Sequence, residues 1–195
     1  ADVSSSAAVR EAMQTEQGYD QQVWQRICEE MVWPAIHIPE IYGGMGLGYV
    51  ELAVLLEKMG KYLLCSPYFS TVCLGVNALL IAGTEQQKGD YLPKIAEGQL
   101  TATLAYTGIN GRWDAHSVQA TFQKTDTGYL LNGQFRFVPD GHTAELLIVA
   151  AREEGSQGEQ GVALFALSAE VQGVTRQWLP TMDQTRKQAE INLAA

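Results

Sequence analysis

Thiols, imidazoles and glycine-rich loops are the residue types from which chemistry is most readily built, and this chain carries a few of each. Its histidines, His37, His116 and His142, stand far apart, at no metal-ligand spacing and with no nucleophile beside them. Each is expected to be a surface or loop histidine. The cysteines, Cys28, Cys65 and Cys73, are odd in number and sit in apolar helical surroundings. They read as reduced, buried small hydrophobes rather than as disulfides, metal ligands or a catalytic thiol. Reduced thiols fit a cytoplasmic setting. Residues 38–48, IPEIYGGMGLG, hold four glycines in eleven positions. They contain G-x-G-x-G ahead of a helix, which raises a dinucleotide fingerprint. No strand precedes the motif and no βαβ unit follows, so a tight loop between helices is the preferred reading.

The elements that must hold any site divide at about residue 100. Apolar spacing of helical period predicts helices over residues 4–17, 20–31, 49–61 and 69–82, and from Thr84 to near Gly98. Asp20 is placed to cap the second of these, and Pro34 to stop it. Thr84-Glu85-Gln86-Gln87 is a capping box, and Pro93 is expected to kink or shorten the helix it opens. Beyond Leu100 the period changes to two. Strands are expected over 101–107, 117–123, 128–138, 145–151, 161–168, 174–178 and 187–193. They are punctuated by turn chemistry at residues 108–111, Asp126-Thr127-Gly128, Asn132-Gly133 and Pro139-Asp140-Gly141. The fold class is therefore α+β: a helical domain over residues 1–99, then an antiparallel β-barrel domain over 100–195. The last strand finishes two residues before the chain does, with no closing polar tail, which suggests truncation.

Composition narrows the partners. Apolar residues make up 46% of the 195, enough to bury a sizeable core, and charged residues only 18%. That sparse charge suggests that some surface is covered by more protein. A net charge of -9 argues against nucleic acid and against an anionic membrane surface. The longest apolar run, residues 71–83, is too short to span a bilayer.

Three segments, in order and at matching spacing, carry a resemblance. IPEIYGGMGLG with the helix that follows, GTEQQKGDYLPKIAEGQLTATLAYT, and GYLLNGQFRFVPDGHTAELLIVAAR are similar to the acyl-CoA dehydrogenase family. Its members are flavoproteins that oxidise the Cα–Cβ bond of acyl-CoA thioesters. The resemblance implies three domains, of which this chain supplies the helical and barrel ones. The C-terminal four-helix domain, which carries the catalytic Glu, is missing, so no residue here is nominated as catalytic. The resemblance further implies FAD as cofactor, acyl-CoA as substrate, an electron-transfer flavoprotein as electron acceptor, and a homo- or hetero-oligomer.

The family's Thr-Glu-Pro-x-Ala-Gly-Ser-Asp loop corresponds to residues 107–114. Thr107 and Asp114 are kept, whereas Gly108, Ile109, Gly111, Arg112 and Trp113 replace Glu, Pro, Ala, Gly and Ser. The family's Trp-Ile-Thr segment corresponds to Phe137-Val138-Pro139. By resemblance, the flavin falls to Leu104, Ala105, Tyr106, Thr107, Trp113, Phe137, Val138 and Pro139, and the substrate to Arg112 and Trp113. Pro139 brings neither hydroxyl nor N–H, and each buried partner lost costs on the order of 1–3 kcal/mol. Bland readings stand beside these. Trp113 reads equally as a core plug, Arg112 as a solvated partner of Asp114, and residues 183–186 (DQTR) as structural salt bridging. Three functions remain open: a working dehydrogenase, a non-catalytic subunit of a heteromeric complex that has lost its flavin site, and a flavin monooxygenase on the same fold.

Overall fold

The computed structural model describes residues 3–194. Their chain divides into two units: residues 3–102 with Thr181–Lys187, and Thr103–Pro180 with residues 188–194.

In the first unit, α1 (Ser6–Gln14) is capped by the Ser5 hydroxyl, which accepts from Ala8 N at 3.2 Å. Helix α2 (Gln21–Glu29) is capped as its sequence predicts, Asp20 accepting from Gln22 N and Val23 N at 2.7 and 3.1 Å. Trp24, Ile27 and Cys28 bury one face of α2. Pro34 then lies in a 3-10 turn, Trp33–Ala35. Residues 38–48 double back on the turn before them. Met45 N donates to Ala35 O at 2.8 Å, Gly46 N to Ile38 O at 2.9 Å and Leu47 N to Ile36 O at 3.0 Å. A Cβ on Gly44 would collide with the Ile38 carbonyl oxygen, so only glycine permits this approach. The segment is a tight loop leading into α3 (Tyr49–Lys61), with no strand ahead of it among the described residues.

The fourth expected helix is continuous but wound in two ways: π-helical over Phe69–Val76, then α-helical as α4 (Asn77–Ala82). At the junction the Asn77 side chain donates to Cys73 O at 2.9 Å. Helix α5 (Glu85–Ala96) opens on the reciprocal Thr84–Gln87 capping box. It continues three residues past Pro93. Pro93 therefore does not end it. Only one main-chain hydrogen bond near the helix terminus is forfeited there.

The segment Thr181–Lys187 belongs to this same unit. Arg186 Nη1 donates to Leu64 O at 2.8 Å, and Lys187 Nζ to Met13 O at 2.7 Å and Gln184 Oε1 at 3.0 Å. Lys187 is 2% exposed. Asp183 takes its bonds from Thr185 N and Oγ1, so hydrogen bonds to main chain, not salt bridging, organise residues 183–186.

The second unit is a seven-stranded sheet: β1 (Ala102–Ala105), β2 (Thr121–Thr125), β3 (Gly128–Pro139), β4 (Leu146–Glu153), β5 (Val162–Ser168), β6 (Val174–Leu179) and β7 (Gln188–Leu193). The path runs β1-β4-β2-β3-β7-β6, with β5 on β4. The expected antiparallel barrel is corrected here. Strands β2 and β4 pair in parallel, Thr121 opposite Arg152 and Phe122 opposite Glu153, so the sheet is mixed. Period two marks a half-buried strand but is blind to its direction. Strand β4 is buried through Arg152, as suits a strand with neighbours on both sides. The core gathers Phe135, Val138, Leu147, Val149 and Ile191.

Asn132-Gly133, expected as a break, is continuous strand. There β3 passes from one neighbour to another: Asn132 pairs with Thr121 of β2, and Gly133 with Leu193 of β7. A Cβ on Gly133 would strike Ala120, so this glycine marks a close approach of main chains rather than a turn.

Candidate functional site

Both segments that the resemblance assigns to a flavin lie in the sheet unit, and the structure brings them side by side. Past β1, Thr107 O accepts from Arg136 N at 3.0 Å, and Gly108 forms an antiparallel bridge with Phe135. Two residues into β1's side of the sheet, the buried Thr103 hydroxyl donates to Pro139 O at 2.6 Å. The chain on either side of Leu104, Ala105 and Tyr106 is thereby tied to residues 135–139. Leu104 and Tyr106 are half-buried, while Ala105 points into the core.

The centre of the arrangement is a bulge. Phe135 faces Ile191 and Val138 faces Ala189, so three steps along β3 match two along β7. The extra residue falls at Arg136–Phe137, and Phe137 takes φ 57°. A left-handed aromatic residue costs on the order of 1–3 kcal/mol and persists only where its surroundings enforce it. Here Phe135 and Val138, both buried, clamp it on either side. The Phe137 ring is left 50% exposed. The Arg136 guanidinium lies 5.6 Å from its centroid and pairs with Glu190 at 3.2 Å. Pro139 sits in the β3–β7 ladder opposite Gln188, offers no N–H, and has its carbonyl engaged by Thr103.

Residues 108–117 form a loop built from its own short bonds. Gly111 N donates to Gly108 O at 3.0 Å, Arg112 N to Asn110 Oδ1 at 3.0 Å, and Asn110 Nδ2 to Ser117 O at 3.3 Å. Asp114 accepts from Ser117 Oγ at 2.9 Å and from Arg112 Nε at 3.1 Å. The Ser117 bond, with Arg112 adding to it, holds the Asp114 carboxyl below its ordinary pKa. The Arg112–Asp114 pair is thus formed. Trp113 is 78% exposed, so it plugs no core in this chain. Among the described residues no hydrogen bond or ring contact links Arg112 or Trp113 to the Phe137 bulge.

Sequence reasoning missed Thr103 and Arg136, which do the joining. An inward threonine in a strand was a usable signal for the first. The second acts through its main chain, which no residue type announces. His37 also differs from expectation. It is buried in the helical unit, where its Nε2 lies 3.1 Å from Asn77 Oδ1, an oxygen that also accepts from Tyr49 OH at 2.9 Å. That acceptor assigns the proton to Nε2. Burial lowers the imidazole pKa, against the Asn77 bond. Burial likewise pushes the Cys28 thiol up to about 12 and Cys73 up to about 11, the behaviour of inert packing residues. Among the described residues no acidic, histidine or cysteine cluster could hold a metal ion, and no helix is long and apolar enough to cross a membrane.

A helical unit followed by a mixed sheet, with a strained aromatic bulge beside the loop after β1, defines a class of two-unit scaffold. The acyl-CoA dehydrogenase N-terminal domain family matches residues 4–99. Isovaleryl-CoA dehydrogenase, mitochondrial, of Arabidopsis thaliana is 32% identical over 158 residues, covering 79% of this chain and 38% of that protein. The ChsE4-ChsE5 complex from Mycobacterium tuberculosis superposes with a TM-score of 0.85 at 25% identity, over 98% of this chain and 50% of that one. An acyl-CoA dehydrogenase complexed with FAD from Bacillus anthracis shares the fold, with a TM-score of 0.83 at 23% identity over 97% of this chain and 32% of that one. The chain belongs to the acyl-CoA dehydrogenase family. It spans 38% of the Arabidopsis relative's length.

Proposed function

We propose that this chain contributes the helical and sheet portions of an FAD-dependent acyl-CoA dehydrogenase, which oxidises an acyl-CoA thioester to the enoyl-CoA. The carrying observation is Phe137: an aromatic ring half exposed on a bulge whose backbone is strained to φ 57°. Strain kept at an exposed aromatic is what a ring-stacking face demands. FAD, when bound, supplies the two-electron acceptor for the oxidation.

The chain's own residues fit part of that task. Phe137 presents a flat apolar face, and the buried Phe135 and Val138 anchor the backbone on either side of it. The Thr107–Arg136 bond fixes the loop after β1 against that face. Arg112 offers a guanidinium to a phosphate of CoA, and Trp113 an apolar wall. The α-proton is taken by a base outside these residues, which the family resemblance makes a Glu of a further domain. An electron-transfer flavoprotein receives the electrons, and the complete protein is an oligomer.

A second reading rests on Pro139, which has no N–H to give and whose carbonyl is already engaged. On that reading the chain is a subunit without its own flavin, working beside an active homologue. The visible spectrum of the full-length protein, purified without added cofactor, decides between them. A flavin band bleached anaerobically by an acyl-CoA supports the dehydrogenase. A protein that stays colourless after incubation with FAD refutes it and favours the second reading.

A further inference from the structure

Arg152, at the end of β4, is about nine-tenths buried, yet it faces main chain rather than a carboxylate. Its guanidinium donates to five carbonyl oxygens on two separate segments. Nε donates to Val118 O at 2.7 Å, Nη1 to Ser156 O at 3.2 Å, and Nη2 to Ala115 O at 3.0 Å, His116 O at 3.4 Å and Gly158 O at 2.7 Å. Three of those carbonyls belong to residues 115–118, the anchored end of the loop that carries Arg112 and Trp113. The other two belong to the hairpin tip between β4 and β5. Its main chain joins in, Arg152 N donating to Ala120 O at 2.9 Å.

The bonds continue outward from that anchor. Ser117, held between two of the clamped carbonyls, bonds Asp114 through its hydroxyl and Asn110 through its carbonyl. Asp114 in turn bonds Arg112, and Asn110 bonds the Arg112 amide. Hydrogen bonds joined by the main chain of residues 115–118 therefore lead from a buried guanidinium to Arg112, whose chain neighbour is Trp113. On the outer side, His116 Nδ1 lies 3.5 Å from Glu159 Oε1, a weaker second tie across the same pair of segments.

We infer that Arg152 is a positioning residue. Its planar fork fixes the loop over residues 110–118, and through it the placement of Arg112 and Trp113 toward acyl-CoA. The substrate half of this rests on the function proposed above. The fork matters more than the charge. A guanidinium spreads five N–H groups over two segments, whereas an ammonium offers three from a single point.

The test is amide hydrogen exchange on the full-length protein and on Arg152→Lys and Arg152→Met, with acyl-CoA binding measured on the same samples. Both variants are expected to speed exchange over residues 110–118 and 156–158 by on the order of tenfold or more, while β3 and β7 keep their protection. Affinity for acyl-CoA is expected to weaken by on the order of tenfold, with kcat at saturation changed less. A lysine variant that exchanges like the wild type overturns the fork argument. Loosened loops with unchanged acyl-CoA affinity overturn the positioning role. Should either variant fail to fold, Ser117→Ala combined with Asn110→Ala cuts both branches of the same series at its exposed end. It is expected to free residues 110–114 while 156–158 stays protected, and an unmoved loop refutes the series. A wild-type protein that takes up neither FAD nor acyl-CoA removes the functional reading without any variant, and the exchange data still decide whether Arg152 sets the loop.

Discussion

Replacing Phe137 by glycine and by alanine separates backbone strain from ring contacts. Both substitutions remove a ring that is half exposed. Each therefore forfeits about half of the ~1.5–3 kcal/mol that a fully buried side chain of this size is worth. They differ at the backbone. Alanine keeps a Cβ and so keeps the left-handed penalty at φ 57°, about 1–2 kcal/mol. Glycine escapes it, at a cost of about 0.5–1 kcal/mol in unfolded-chain entropy. Phe137→Gly is thus expected to be the more stable of the two by about 0.5–1 kcal/mol, or roughly 1–4 °C in Tm. In an ordinary strand the order is the reverse, glycine being about 0.5–1 kcal/mol worse than alanine. Urea unfolding of both variants without cofactor, at equal m-values, reads the sign directly. An alanine variant as stable as the glycine one, or more so, would refute the strained bulge. On the proposed function both variants also release FAD more readily on dialysis, because both lack the ring.

Thr103→Val keeps the shape and removes the donor to the part-buried Pro139 O. A loss of about 1–3 kcal/mol by denaturant unfolding is expected, and no loss would mean water takes the hydroxyl's place. His37 sets a pH dependence. Its folded pKa lies below 6.5, so the unfolded chain binds the proton more readily, and stability falls as pH drops from the unfolded value toward the lower folded one. Thermal melts between about pH 7 and pH 5 should fall more steeply for the wild type than for His37→Gln, and parallel curves would exclude His37 as the cause. With thiols pushed to about 12 and about 11, Cys28 and Cys73 should resist an aromatic disulfide reagent near pH 8 until the protein is unfolded. Native-state labelling of either at the rate of a free thiol would contradict their burial.

The legible parts of this fold were those governed by local periodicity and capping. Asp20 and Thr84 announced two helix starts through side chains that bond the next turn, and both bonds are present. Alternation located most strands because one face of each meets a core, but β2 begins at Thr121, four residues past its expected start, because Ala115–Ser117 wind as a 3-10 turn. What stayed hidden depends on which chain lies alongside. Nothing in TFQKT distinguishes a parallel neighbour from an antiparallel one, and Asn132-Gly133 reads as a turn until Ala120 is found against it. The π-winding of Phe69–Val76 leaves no mark on the sequence because the segment is apolar nearly all round, so no face shows its period. At the candidate site, the aromatic at Phe137 was visible by type. Its left-handed backbone was not, because it arises from a register shift between two strands more than fifty residues apart.

The short segment Thr181–Lys187 has a consequence for the order of events during synthesis. The helical unit has emitted its last helix by Ala96, but Leu64 O and Met13 O still await donors from Arg186 and Lys187, 122 and 174 residues away. At a ribosomal rate of about 5–20 residues per second, the roughly 80 residues between the two pieces take about 4–16 s to appear. In that interval the nascent helices exist without their closing segment. Closing so long a loop adds only slowly to the entropic cost but delays the final packing step. The amino-terminal half of this chain is therefore closed late, by a strip of sequence made after six of the seven strands.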